Sequence, residues 1–292
     1  MTHPHLKVET DGPVRTITLD HPEKRNAQTP SMWAALADEA RSVPENVRVV
    51  VLRGAGDAFS AGIDTAMFTP DGVAGEESVA QLAAGGPEAL QRGIAAYQEG
   101  FTAWGECPAV VVAEVHGYAI GAGLQLALAA DLRLAALDAW FAMRETSLGL
   151  VPDLGGTGPL VHLVGYARAL EICATGRKVS APEALNIGLV GSLAPAADLQ
   201  EATGWRSTWA KTWVRRSLMR PSPMRDEYHR EMTVSTASST AMTATSSDSR
   251  MTTDESLGMT PSSMRLLSSS GTVTTSTESR TTTARKAMIA PL

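Results

Sequence analysis

The 292-residue chain has two cysteines, no run of apolar residues long enough to span a membrane, and no excess of basic residues. Each shortage removes a class of function. Cys107 and Cys173 lie far apart with no Cys-x-x-Cys partner, which leaves them as small buried hydrophobes rather than a disulfide or a metal pair. A formal net charge of -6 does not suit a nucleic-acid surface. The opening residues, Met1 to Thr10, lack the apolar core of a secretion signal, so a cytoplasmic location with no membrane partner is expected. The six histidines form no cluster with metal-ligand spacing, and no metal is expected. A dinucleotide fingerprint is also missing, because the third position after Gly121 and Gly123 is Leu126. A phosphate loop is excluded in the same way, since no Gly-Lys-Ser/Thr follows Gly54 and Gly56.

What the chain does have is 43% hydrophobic residues and two short glycine-bearing segments, Phe59-Ser-Ala-Gly-Ile-Asp64 and Gly117-Tyr-Ala-Ile-Gly-Ala-Gly-Leu-Gln125. Each follows a strand-like apolar run, Val47 to Arg53 before the first and Ala109 to Val115 before the second. Small residues at strand ends let main chain approach a ligand closely. The stretch after Gly121 reads as a helix whose first N–H groups would face that ligand, so the pair makes a cradle for negative charge. Considered singly, either loop is equally an ordinary strand-to-helix turn.

Around these loops the pattern alternates. Val8 to Thr10 and Val14 to Leu19 predict a hairpin about Asp11-Gly12-Pro13. Thr29 and Pro30 open a helix that runs toward Pro44. From Thr69 to Arg92 there is no sustained period, which predicts a mobile excursion able to cover a substrate. A helix over Ile94 to Trp104, strands at Leu132 to Ala135 and Trp140 to Ala142, and a helix over Leu160 to Ala174 follow. Ser180-Ala-Pro-Glu183 reads as a capping box. The fold class is α/β.

Past Ala202 the character changes. Trp205, Trp209 and Trp213 stand at helical spacing among basic residues, ahead of a Ser-, Thr- and Met-rich tract with too few apolar residues to build a core. The stripe suits a membrane-surface or partner-binding helix, or one packed on its own domain. A slipped reading frame is a further explanation of the tract. The division expected is a core over 1–202 and an atypical, disordered or frame-shifted region over 203–292.

Two N–H groups converging on one oxygen stabilise charge as it develops there, and a thioester carbonyl suits such a cradle. Its enolate requires a carboxylate to take and return a proton. Glu145, after Trp140-Phe-Ala142 and before a glycine-rich stretch, is the candidate, and partial burial would raise its pKa toward a useful range. A surface glutamate in a loop is the plainer reading. Glu114, on the second strand, suits an edge or interface as well as catalysis. His116 is better explained by a structural hydrogen bond than by general-base work.

His21-Pro-Glu-Lys-Arg-Asn-Ala27, the two glycine segments and the run from Phe141 to Thr157 together resemble the crotonase superfamily of enoyl-CoA hydratases and isomerases, over roughly Val8 to Leu199. The resemblance implies a spiral of ββα units, a trimer or dimer of trimers, an acyl-CoA substrate, and no cofactor beyond the coenzyme A of that substrate. It places the oxyanion donors on the N–H groups of Ile63 and Ala122, and CoA contacts at Lys24, Ala27, Ala61, Asp64 and Gly121. Family hydratases carry two glutamates; here the first position is Gln125 and only Glu145 is kept. An amide cannot exchange protons at neutral pH, so hydration is disfavoured and double-bond isomerisation is favoured. Asp153, eight residues after Glu145, matches an aspartate of the family's dienoyl-CoA isomerases, as does Gly62-Ile-Asp64, although those isomerases are acidic at the position of Gln125. Turn chemistry after Pro152 explains Asp153 equally well. The alternative function is an acyl-CoA-binding or scaffolding homologue without turnover.

Overall fold

Alternating apolar and polar residues at the start of the chain produce the predicted hairpin. In the computed structural model, which describes residues 3–69 and 71–201, β1 (Leu6–Asp11) and β2 (Val14–Leu19) pair antiparallel, with Leu6 opposite Leu19. Helix α1 (Pro30–Arg41) begins as its sequence demands: the Thr29 side chain accepts from the Met32 N–H and Pro30 sits in the first turn. Its buried stripe is Met32, Trp33, Leu36, Ala37 and Ala40. The apolar run before the first glycine segment becomes β3 (Val49–Gly54).

The excursion from Thr69 to Arg92 is more ordered than its composition suggests. It contains α2 (Val79–Ala84), opened by a full capping box between Ser78 and Gln81. It also contains the first turn of α3 (Pro87–Thr102), which starts seven residues ahead of the predicted Ile94 because Pro87 and Glu88 suit a helix N-terminus. Helix α3 packs on α1 at Gly100, where a Cβ would come within 2.7–2.9 Å of Trp33 backbone and Cβ atoms. The Trp33 ring lies 5.2 Å from that of Tyr97 and 5.7 Å from that of Phe101.

After α3 the chain alternates between two sheets. β4 (Val110–Val115) enters the large sheet, β5 (Tyr118–Ile120) a small one, and α4 (Ala122–Ala129) covers them. β6 (Leu132–Ala136) and β7 (Trp140–Ala142) repeat the pattern, followed by α5 (Thr157–Val164) and α6 (Tyr166–Thr175). β8 (Val179–Ser180), α7 (Ala181–Asn186) and β9 (Ser192–Ala194) complete the described residues' regular elements. The large sheet has the order β1-β2-β3-β4-β6-β9, parallel after the opening hairpin, and the small one β5-β7-β8. Strand pairs that split between two sheets and close with a helix are the ββα spiral that the resemblance implies. Val49 to Leu52 and Val111 to Ala113 are all buried, as continuous apolar runs in parallel strands require.

Three local readings are corrected. β5 was hidden inside the second glycine segment because it is three residues long and its hydrogen bonds go to a different sheet. The single helix over Leu160 to Ala174 is two, broken at Gly165 (φ 80°). The Ser180 side chain does cap α7 through the Glu183 N–H, but the Glu183 carboxylate pairs with Arg177 at 2.7 Å. Cys107 is buried as expected and Cys173 only half-buried, and neither takes part in a disulfide. Among the described residues no helix is long and apolar enough to cross a membrane. Trp205, Trp209, Trp213 and the tract beyond lie outside the described residues.

The α1–α3 contact is tested by Gly100→Ala. Alanine is the better helix former by about 1 kcal/mol, yet its methyl would meet Trp33 main chain, so a net loss of about 1–3 kcal/mol is expected. Thermal unfolding should show a lower Tm; an unchanged or raised Tm would mean that the helices separate freely.

Candidate active site

β3 ends against the turn that precedes α1. A Cβ on Gly54 would lie 2.5 Å from the Phe59 carbonyl oxygen and 2.7 Å from Asn26 Nδ2. Asn26, in the left-handed region at φ 53°, donates its amide to the carbonyls of Ala55 and Ala58 at 2.8 Å each, and accepts from the His21 N–H at 3.0 Å. Its neighbour in the network is Ser60, fully buried. The Ser60 hydroxyl donates to the Asn26 carbonyl at 2.7 Å and accepts from Gln28 Nε2 at 3.0 Å and the Gly62 N–H at 3.1 Å. Gln28 Oε1 accepts from Trp33 Nε1 at 2.8 Å.

The two glycine segments then meet main chain to main chain. Ser60 donates its N–H to the Tyr118 carbonyl at 3.1 Å, and its carbonyl accepts from the Ile120 N–H at 3.0 Å. Gly62 (φ 92°) has no room for a side chain: a Cβ would lie 2.6 Å from the Ile120 carbonyl oxygen and 3.3 Å from the Ala122 nitrogen. Gly123 is equally confined, with the Ser60 carbonyl oxygen 2.7 Å from its would-be Cβ. Ile63 bridges Gln28 in parallel fashion. That bridge uses the N–H groups of Gln28 and Asp64, at 2.8 Å each, and leaves the Ile63 N–H on the opposite side. Ala122 is the first residue of α4, where an N–H has no acceptor within the helix.

Glu145 stands beside this junction. It is buried, opens a 3-10 turn over Glu145–Leu148, and lies 3.4 Å, at Oε1, from the position a Cβ would take on Gly121. α4 aims Gln125 at it. Gln125 Nε2 donates to Glu145 Oε1 at 2.7 Å, while Gln125 Oε1 accepts from the Gly156 N–H at 3.0 Å. Gly156 admits this because its Cβ would collide with Gln125 Cγ at 2.7 Å. Among the described residues Glu145 Oε2 has no hydrogen-bond partner. Burial raises the Glu145 pKa; the charge of Asp153 adds to the rise, and the Gln125 amide opposes it. Burial also pushes Asp153, half-buried, up to about 6. Its carbonyl accepts from Gln98 Nε2 at 2.7 Å, which ties it to α3.

Of the residues matched to CoA contacts, Lys24, Ala27, Ala61 and Asp64 lie at or beside the first segment, whereas Gly121 lies in the second, next to Glu145. Lys24 Nζ is 3.0 Å from Asp64 Oδ2. Burial pulls the Asp64 carboxyl up, but the Ala66 N–H and Lys24 outweigh it and hold the pKa below the usual carboxylate value. Ala27 and Ala61 are half-buried, and the Ala61 N–H is held by the Arg25 carbonyl at 2.9 Å. His116 makes the structural hydrogen bond expected of it, to the Gly56 carbonyl at 2.8 Å. Glu114 is not at an edge: β4 lies between β3 and β6, with Arg53 opposite Glu114 on one side and Leu134 on the other. Sequence reading passed over Gln28, Ser60 and Gly156. Ser60 and Gly156 carried a usable signal, as small residues inside segments already singled out, whereas Gln28 carried none.

The sheet topology and this junction define a crotonase-fold protein. The enoyl-CoA hydratase/isomerase family model matches residues 9–260, and the chain belongs to that family of enzymes. The match runs past the 202 boundary read from composition. A peroxisomal Δ(3,5)-Δ(2,4)-dienoyl-CoA isomerase of Arabidopsis thaliana is 31% identical over 225 residues, 74% of this chain and 80% of that protein. The mitochondrial enzyme of the same name from Rattus norvegicus is 35% identical over 191 residues, 63% of this chain but just 56% of its own length. A Thermobifida fusca YX protein assigned to the enoyl-CoA hydratases and solved in complex with acetoacetyl-CoA is 36% identical, with a TM-score of 0.68 over 80% of this chain and 95% of that one.

The raised carboxyl pKa values make a stability prediction. A carboxyl whose pKa is higher folded than unfolded holds its proton more tightly in the native state, so its contribution is full at acid pH and is lost as pH rises through the folded value. For Asp153 the window runs from about 4, the unfolded value, to about 6. Asp153→Asn should therefore raise Tm at pH 7.5 and leave it unchanged near pH 3.5. A shift of equal size at both pH values would remove the assigned cause.

Proposed function

We propose that this chain shifts a carbon–carbon double bond in an enoyl- or dienoyl-CoA thioester. The observation that carries the reading is Glu145: buried, held through one oxygen by Gln125, unpartnered at the other among the described residues, and raised further in pKa by the charge of Asp153. The thioester oxygen sits between the N–H groups of Ile63 and Ala122, and the CoA lies along Lys24, Ala27, Ala61, Asp64 and Gly121. A carboxylate of the Glu145–Asp153 pair removes a proton from carbon, and the electrons of that C–H bond pass through the conjugated chain to the thioester oxygen. The resulting dienolate is the species that two N–H donors stabilise; loss of one such donor costs roughly a hundred- to a thousandfold in rate. A protonated carboxyl of the pair then delivers a proton to a different carbon, so substrate and product have the same composition and the two carboxyls have exchanged roles.

Carboxyls with raised pKa values suit this exchange, since each gains and loses a proton nearer neutral pH. Gln125 fixes the direction of Glu145 without contributing a proton. Nothing beyond the coenzyme A of the substrate is needed to balance the reaction. The chemistry is assigned to residues 1–202 in a cytoplasmic homotrimer or dimer of trimers; light scattering should give three or six times the 30.7 kDa chain mass.

A panel of enoyl- and dienoyl-CoA substrates read by absorbance and mass tests the reading, because hydration adds water and isomerisation leaves mass unchanged. Glu145→Gln should lower kcat by about 10²–10⁴-fold, the range for a lost general acid or base. If purified protein binds acyl-CoA without altering it, and Glu145→Gln changes nothing, an acyl-CoA-binding or scaffolding role replaces this one. Gln125→Glu restores the second glutamate of the hydratase pattern and should raise the share of hydrated product; an unchanged product ratio would remove Gln125 from the choice of reaction.

A further inference from the structure

The aim of the Ile63 N–H is set by groups that never reach the substrate. In a trans peptide the C=O and the following N–H point in opposite directions. The Gly62 carbonyl accepts from the Gln28 N–H at 2.8 Å, so the Ile63 N–H of the same peptide unit is turned away from Gln28. The next group back, the Gly62 N–H, is held at 3.1 Å by the Ser60 hydroxyl. Both ends of Gly62 are thus pinned, one by Gln28 main chain and one by Ser60. Glycine at φ 92° is the residue least able to hold its own conformation, so the outside restraints decide where the peptide faces.

Ser60 is well equipped to restrain it. A hydroxyl has one proton and two acceptor positions, and all three are used, toward the Asn26 carbonyl, Gln28 Nε2 and the Gly62 N–H. Gln28 is itself oriented, because Trp33 Nε1 donates to its Oε1 at 2.8 Å. Trp33 in turn is clamped between α1 and α3 by Gly100, Tyr97 and Phe101. A buried chain with every member satisfied holds one geometry.

We propose that Ser60 and Gln28, oriented by the Trp33 indole N–H, are positioning residues that aim the Ile63 N–H at the thioester oxygen. The inference rests on the reading of Ile63 as an oxyanion donor. It makes the helix pair α1–α3 the foundation on which the first half of the cradle is aligned. The chain Trp33–Gln28–Ser60–Gly62–Ile63 acts on the transition state, where charge on the oxygen is greatest, and much less on substrate binding.

The test uses the full chain, two variants, and difference infrared spectroscopy of a bound 2,4-dienoyl-CoA labelled with ¹³C at the thioester carbonyl. Trp33→Phe deletes the indole donor but keeps an aromatic ring against Tyr97 and Phe101. Ser60→Ala removes the hydroxyl, with Ser60→Cys as the conservative companion. In wild type the bound carbonyl stretch should fall to lower wavenumber than in solution. The proposal expects about a 10- to 100-fold loss of kcat in Ser60→Ala with KM within about twofold, reflecting a donor misaimed rather than deleted. It further expects a smaller carbonyl shift, partial recovery of both in Ser60→Cys, and a loss of several-fold in Trp33→Phe with the same spectral sign. Variants that fold, turn over at the wild-type rate and give the wild-type carbonyl shift would overturn the proposal. If Ser60→Ala fails to fold, Trp33→Phe decides alone. Absence of any carbonyl shift in wild type would instead sink the oxyanion reading, which separates the two failures.

Discussion

The contact between residues 60–62 and 118–123 is held by hydrogen bonds of main chain to main chain. Hydrogen bonds from the Ser60 N–H to the Tyr118 carbonyl and from the Ile120 N–H to the Ser60 carbonyl set the spacing, and Gly62 and Gly123 remove the methyl groups that would prise it apart. The remaining features of the site follow from that approach. It brings the loop that follows β3 of the large sheet against β5 of the small sheet and the first turn of α4. Backbone dipoles held this rigidly need no reorganisation when charge develops between them, which is where preorganised sites gain over water.

The electrostatics on the other side of the junction are governed by burial. Glu145 and Asp153 both bind protons more tightly than exposed carboxyls do, chiefly because they are buried, and the charge of Asp153 makes Glu145 harder still to ionise. The Gln125 amide acts against this trend through a single hydrogen bond, while its carbonyl is occupied by Gly156. A glutamate there would bring a third buried negative charge into the cluster. Gln125 therefore keeps a buried Glu145 oriented without adding charge.

Much of this was legible in the residues. Val49 to Leu52 and Val111 to Ala113 identified themselves as buried parallel strands through unbroken apolar runs, and Thr29-Pro30 announced α1 through capping chemistry. The two glycine loops and Glu145 could be picked out because close backbone approach and acid–base chemistry restrict residue type severely. The second layer was less visible. Gln28 is one polar residue among several, and what distinguishes it is Trp33, a partner five residues away whose indole N–H points inward after α1 has packed on α3. β5 escaped because three residues show no period, and the early start of α3 escaped because Pro87 and Glu88, which suit a helix N-terminus, stand in a stretch with no sustained apolar period.

Adjacent residues of α3 serve the two halves of the site. Gln98 holds the main chain of Asp153, while the Tyr97 ring is tilted against Trp33, whose indole N–H holds Gln28. A displacement of α3 along or about its axis cannot disturb one half and spare the other. The helix follows directly on the stretch over residues 72–86. Sequence drift in that stretch is consequently constrained at a distance: besides the capping pair Ser78 and Gln81 and the buried Leu82, any change that shifts the helix moves Trp33 and the main chain of Asp153 together.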